Sequence, residues 1–177
     1  MTRREETDDF LAHAWCRDMM NEPGWAPLSS RADDSNALFS KTLWTAETIR
    51  AHQSLYRGPS DEERAAGKST GELRILLSLG SGLDGWPGVC HGGVMALVFD
   101  DTIHELTRKE MMGTTVTVSL KIDFRRPVRT PSVVLCRAHM SRPLSGRKAE
   151  AQATLEDGHG TVFAAAECVV VMLQGNL

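Results

Sequence analysis

Hydrophobic and polar residues alternate most clearly over TTVTVSLKIDFRRP (114–127). There Val116, Val118, Leu120, Ile122 and Phe124 are separated by Thr117, Ser119, Lys121, Asp123 and Arg125. A period of two sustained over about ten residues predicts a long strand with one buried face, ended by Pro127. PSVVLCRAHMSR (131–142), RKAEAQATLED (147–157) and TVFAAAECVVVML (161–173) predict three more strands. Small Ala149, Ala151 and Ala153 share one face, and DGHG makes a hairpin turn between the last two strands. The four strands read as antiparallel neighbours joined by short turns.

Upstream, ELRILLSL (72–79) is a strand candidate closed by the glycine-rich GSGLDGWPG. From Gly92 to about Arg108 the pattern changes to that of a helix. Its first two turns are apolar almost all round, which marks a helix buried by its surroundings. Its second half, DDTIHELTRKE, is polar on one side, and Arg108 and Lys109 suit a helix C-terminus before the breaker Gly113. Residues 8–20, DDFLAHAWCRDMM, have helical spacing with acids in the first turn. Residues 21–37 read as a surface loop, 38–57 are ambiguous with a strand end at 55–57, and 58–71 read as a polar, mobile loop. One long helix against one curved antiparallel sheet buries both elements, giving an α+β class. The expected division is an N-terminal extension with a helix (1–50) and one main domain (51–177).

At 177 residues the chain is long enough for a core, and 41% hydrophobic with 24% charged residues is the balance of a globular protein. The net charge of −3 argues against nucleic acid as a partner. No apolar run reaches the length of a membrane span. The start, MTRREETDDF, has no apolar stretch and four acids, so a cytoplasmic location is expected. Cys16, Cys90, Cys136 and Cys168 are far apart and read as free thiols rather than metal ligands. Cys90 beside His91 invites a nucleophile reading, but a small buried residue ending a strand is the more economical one.

The chemistry concentrates in CHGGVMALVFDD (90–101). Gly92 and Gly93 fall at a helix N-terminus, where backbone N–H groups lack partners and the dipole is positive. Such donors suit an oxyanion, and His91 suits either holding them in place or acting as a general base, since an ordinary imidazole titrates near neutrality. Asp100 or Asp101, at the end of the apolar run, supplies a carboxylate held with little water. From spacing alone the two are interchangeable. Gly92 and Asp100 are eight residues apart, about 12 Å along a helix. One small carbonyl group cannot touch both, so the spacing predicts a homodimer in which the Asp of one copy meets the glycines of the other.

HGGVMALVFDD, SLKIDFRRPV and the terminal hairpin GRKAEAQATLEDGHGTVFAAAECVVV, in that order over roughly residues 72–173, resemble the hotdog-fold acyl-CoA thioesterases. The resemblance is to the branch of the bacterial phenylacetyl-CoA thioesterases and the human mitochondrial long-chain members. It implies a central helix wrapped by a curved sheet, thioester hydrolysis without cofactor or metal, and a homodimer or a dimer of dimers. It selects Asp100 as base or nucleophile, gives His91 a positioning role beside Gly92 and Gly93, and aligns Thr117 with a hydroxyl that contacts the catalytic water or carboxylate. The strict alternation, however, sets Thr117 on the face opposite Val116 and Val118.

Arg125, Arg126, Arg147 and Lys148 are candidates for the phosphates of coenzyme A or the arm of a carrier protein. Met95, Val98 and Phe99, with Leu83 or Trp86, are candidates for an acyl pocket. The leading expectation is an acyl-CoA hydrolase. The alternatives are release of a polyketide or other acyl chain from a carrier-protein thioester, and a non-catalytic acyl-binding module.

Overall fold

The computed structural model describes residues 8–28, 36–111 and 113–173. Most of the N-terminal decapeptide read for a leader, and the middle of the 21–37 loop, lie outside them. In chain order the elements are α1 (Asp8–Leu11), α2 (Ala14–Met20), β1 (Ala26–Pro27), β2 (Ile49–Arg57), α3 (Asp61–Ala65) and β3 (Glu72–Leu79). They are followed by β4 (Asp84–Trp86), β5 (Val89–Cys90), α4 (Gly92–Glu110), β6 (Thr115–Phe124), β7 (Ser132–Ser145), β8 (Lys148–Glu156) and β9 (Val162–Met172). Seven strands form one antiparallel sheet in the order β1-β2-β3-β7-β8-β9-β6, and β4 and β5 form a separate ribbon.

The long helix α4 buries Met95, Val98, Phe99, Thr102, Ile103, Leu106 and Thr107, a stripe recurring every three or four residues. The sheet meets it with small side chains on β8 and β9: Ala149, Ala151, Ala153, Ala164 and Ala166 are all buried. Small residues there let a helix lie close in the hollow of a curved sheet. The expectation of one buried helix wrapped by a curved antiparallel sheet therefore holds.

Three expectations need correction. β6 does not neighbour β7. It pairs with β9 and forms the sheet's edge, so the chain crosses from edge to interior through residues 125–131. Three strand spacings are about 14 Å, which seven extended residues span easily. The alternation in β6 is also broken. A bulge lies between Thr117 and Ser119, whose partners are Val170 and Val169. The extra residue, Val118, switches the parity, so Thr115 and Thr117 share the helix-facing side with Leu120, Ile122 and Phe124. Finally, residues 58–71 contain α3, whose N-cap is a complete capping box: the Ser60 side chain accepts from Glu63 N–H and the Glu63 carboxylate from Ser60 N–H. Ser-Asp-Glu-Glu carried that signal in the sequence.

The N-terminal helix is two short helices, because His13 is extended (φ −105°, ψ 122°). Six residues apart on one straight helix, Phe10 and Cys16 would point about 120° apart. The break lets both pack on the sheet's outer face against Ala51, Leu76 and Leu135. This explains why ELRILLSL shows no alternation: β3 is covered by α4 on one face and by α1 and α2 on the other. Trp15 seals the contact by lying on the DGHG turn, where a β-carbon on Gly158 would stand 2.3 Å from Trp15 Cε3.

Candidate active site

The ribbon β4–β5 delivers the chain to the start of α4. Asp84 accepts from the Gly88 N–H at 2.8 Å and from the Thr130 hydroxyl, Cys90 N–H donates to Val128 O at 2.9 Å, and His91 N–H donates to Leu83 O at 2.8 Å. Gly85 gives the His91 ring room, since a β-carbon there would meet His91 Cδ2 at 2.7 Å. His91 is the N-cap of α4, and its Nδ1 accepts from the Gly93 N–H at 2.8 Å. The ring nitrogen facing Gly93 therefore carries no proton.

This bond divides the two glycines, which the sequence had treated alike. The Gly93 N–H is already used by His91. The Gly92 N–H has no acceptor among the described residues. Packing does not require glycine at position 92, where an added β-carbon would meet only the Phe124 ring, at 3.5 Å. Gly92 thus presents an open donor at the positive end of a 19-residue buried helix, beside the Phe124 ring.

Asp100 lies eight residues further along α4, about 12 Å from Gly92 by the helical rise. It is half-buried. Cys168 of β9 connects it to Thr117: the Cys168 Sγ is 4.0 Å from Thr117 Oγ1, and its thiol pKa is raised first by burial and further by the charge of Asp100. The bulge at Val118 thus brings Thr117 to the Asp100 side of the sheet, where strict alternation would have turned it away. The neighbouring Asp101, which spacing alone left interchangeable with Asp100, accepts from Asn36 Nδ2 at 3.0 Å. Further along the same helix, Glu105 accepts from Ser54 Oγ at 3.0 Å, and Glu110 from Tyr56 Oη at 2.5 Å and Gly71 N–H at 2.8 Å. These acids fasten α4 to β2 and its surroundings. Partners 39 to 65 residues away leave no local sequence signal.

The four basic candidates do not form one cluster. The backbone N–H groups of Arg125 and Arg126 both donate to Phe163 O, at the Gly92 end of the sheet. Arg147 and Lys148 lie where Lys148 pairs with Val171, at the Thr115 end. Phe163 and Val171 lie eight residues apart along β9, which separates the two groups by about 27 Å. Arg125 moreover lines a cleft of about 460 Å³ on the outer face of the sheet with Trp25, Arg74 and Arg137. Lys148 is paired with Glu150 at 3.2 Å.

Of the acyl-pocket candidates, Leu83, Met95, Val98 and Phe99 belong to the closed core, and only Trp86 is open, at 77% exposure. Phe124, read as core, is 55% exposed over Gly92. Cys90 is buried, and its thiol is pushed up to about 11 by burial, reinforced by the charge of Asp84. It is the inert strand-end residue of the more economical reading. No described helix is long and apolar enough to cross a membrane.

Comparison with known proteins agrees with this architecture. Residues 87–164 match the thioesterase superfamily. Over 83 residues the chain is 39% identical to the acyl-coenzyme A thioesterase THEM4 of Bos taurus, covering 46% of this chain and 33% of that protein. It is 26% identical over 161 residues to verlamelin biosynthesis protein B of a Lecanicillium species, covering 73% of this chain and 69% of that one. The chain therefore spans about a third of the length of the Bos taurus thioesterase. Among solved structures, the Escherichia coli PaaI protein of the phenylacetic acid degradation operon superposes with a TM-score of 0.55 at 13% identity, covering 59% of this chain and 75% of that one. The TT0310 protein of Thermus thermophilus superposes with a TM-score of 0.53 at 23% identity, covering 59% and 86%. Through its central helix and the strands that follow, this chain has the hotdog fold, and within it residues 87–164 are similar to the thioesterase superfamily.

Proposed function

We propose that the chain hydrolyses acyl thioesters, with an acyl-CoA as substrate and free acid and thiol as products. The observation that carries this reading is the open Gly92 N–H at the N-terminus of α4, fixed by the His91 cap. A thioester carbonyl oxygen accepting from this N–H gains most as it becomes an oxyanion, because donor and dipole are already aimed at it. Asp100 then either takes a proton from a water that attacks the carbonyl carbon, the C–S bond breaking as the thiol leaves, or attacks that carbon itself, expelling the thiol and forming an anhydride that water hydrolyses. Thr117 lies on the same side of the sheet, against Cys168, whose thiol feels the charge of Asp100. The THEM4 matches, named acyl-coenzyme A thioesterases, support the substrate class.

The site is completed by a second copy. β6 is an edge strand whose outer ladder has no partner among the described residues, and Val118 and Phe124 on it are 58% and 55% exposed. If two β6 strands pair antiparallel over their full length, the Thr117 end of one lies beside the Phe124 end of the other. That pairing brings Asp100 and Thr117 of one copy to Gly92 of its partner, which the 12 Å spacing within one chain does not allow.

The test is thiol release from short, long and aromatic acyl-CoAs by wild type and Asp100→Asn. A loss of about 100-fold or more is expected in the variant. Turnover unchanged by the substitution would remove Asp100 from the mechanism. A second reading, release of an acyl chain from a carrier-protein thioester, is favoured by the match to a biosynthesis protein over 73% of this chain. Faster turnover of the same acyl group on a carrier protein than on CoA would select it.

A further inference from the structure

Phe124 ends β6 with its ring over Gly92: a β-carbon built on that glycine lies 3.5 Å from Phe124 Cζ and 3.6 Å from Cε1. A phenylalanine at this position makes an apolar wall beside an open backbone donor, and the fold leaves more than half of it uncovered. After the bulge, Ile122 and Leu120 follow on the same face of β6. Both are half-buried, as are Val94 and Leu97 of α4. An apolar strip thus leads away from Gly92 along the edge strand. In the other direction the chain passes through Arg125 to Arg126, whose guanidinium donates to Val162 O at 3.2 Å.

A thioester carbonyl bound at the Gly92 N–H has two substituents, a hydrocarbon and a thiol arm rich in amides. Against the strip the amides would lose water without gaining partners, whereas a hydrocarbon gains by burial. We propose that Phe124 is the wall that selects the acyl group. The acyl chain lies against its ring and runs along β6 toward Ile122 and Leu120, and the thiol arm leaves past Arg126. Medium-length alkyl and aryl acyl groups are then preferred over acetyl. This assignment rests on the thioesterase reading of the same site.

The test compares kcat/KM for acetyl-, octanoyl- and phenylacetyl-CoA in wild type, Phe124→Ala and Phe124→Leu, with sedimentation confirming that assembly is unchanged. Phe124→Ala should lower kcat/KM about 30-fold for the two larger acyl groups and less than about 3-fold for acetyl, and Phe124→Leu should recover most of the octanoyl loss. Equal losses on all three substrates, or none, would overturn the assignment. If wild type hydrolyses none of them, the acyl-CoA thioesterase reading fails on its own. Calorimetric binding of octanoyl-CoA against free CoA then tests the wall directly. Phe124→Ala must weaken octanoyl-CoA alone; equal weakening of both, or no binding at all, overturns it.

Discussion

Gly92→Pro isolates the proposed oxyanion donor more cleanly than any truncation. Gly92 is the first helical residue of α4, a position where proline is accommodated because its missing N–H has no helical acceptor. The preceding His91 already has φ −65° and ψ 134°, the extended range that a following proline demands. A β-carbon at 92 meets only the Phe124 ring at 3.5 Å, ordinary contact. No hydrogen bond among the described residues is lost, since the Gly92 N–H donates to none. The fold should therefore change by no more than about 1 kcal/mol, a shift of roughly 2–4 °C in Tm for a chain of this size. Catalysis should suffer far more, by about 10²–10³ in kcat, the loss typical of removing one oxyanion donor. Gly92→Ala keeps the N–H and serves as the control. Stopped-flow or end-point thiol release with matched thermal melts measures both quantities. A folded Gly92→Pro protein whose kcat stays within about 3-fold of wild type would refute the role of this N–H.

Two further expectations concern the frame around the site. Gly158 has φ +76°, and an added β-carbon would overlap the Trp15 ring, so Gly158→Ala should cost at least 1–2 kcal/mol and loosen α1 and α2 from the outer face. Thermal melts with Trp15→Phe as a background check this, and a Tm unchanged within a degree would contradict it. In the capping box of α3, the Glu63 carboxyl is held down at about 2, first by its bond to Lys68 and then by the Ser60 N–H. Because this pKa is depressed, its stabilisation is present above the ordinary value near 4.5 and lost as pH falls toward about 2. The Ser60 amide resonance should titrate in that acidic window, and a midpoint at or above 4.5 would show that the box is not formed.

Much of this was legible in the residues because it is local. The period-two strands, the apolar first turns of α4, and the His-Gly-Gly entry into the helix are each written within about ten positions. Thr117 shows where local reading fails. Its face depends on a bulge whose only sign is in the partner strand, where Val169 and Val170 oppose three residues of β6. The edge placement of β6 was hidden for a related reason. A chain that crosses from edge to interior in seven residues looks, from sequence, the same as a hairpin between neighbours. The different fates of the two glycine N–H groups required the rotamer of His91, which spacing does not encode. Phe124 was read as core because alternation reports that a strand has an apolar face, not what covers it.

The central claim is that one copy supplies Gly92 and its partner supplies Asp100. Mixing inactive Gly92→Pro and Asp100→Asn chains after unfolding and refolding them together tests it directly. Half the dimers should then be mixed, and each mixed dimer should hold one intact site, so about a quarter of wild-type activity should return. A mixture as inactive as its two parents, with heterodimers shown to be present, would contradict the shared site and place both groups within a single chain.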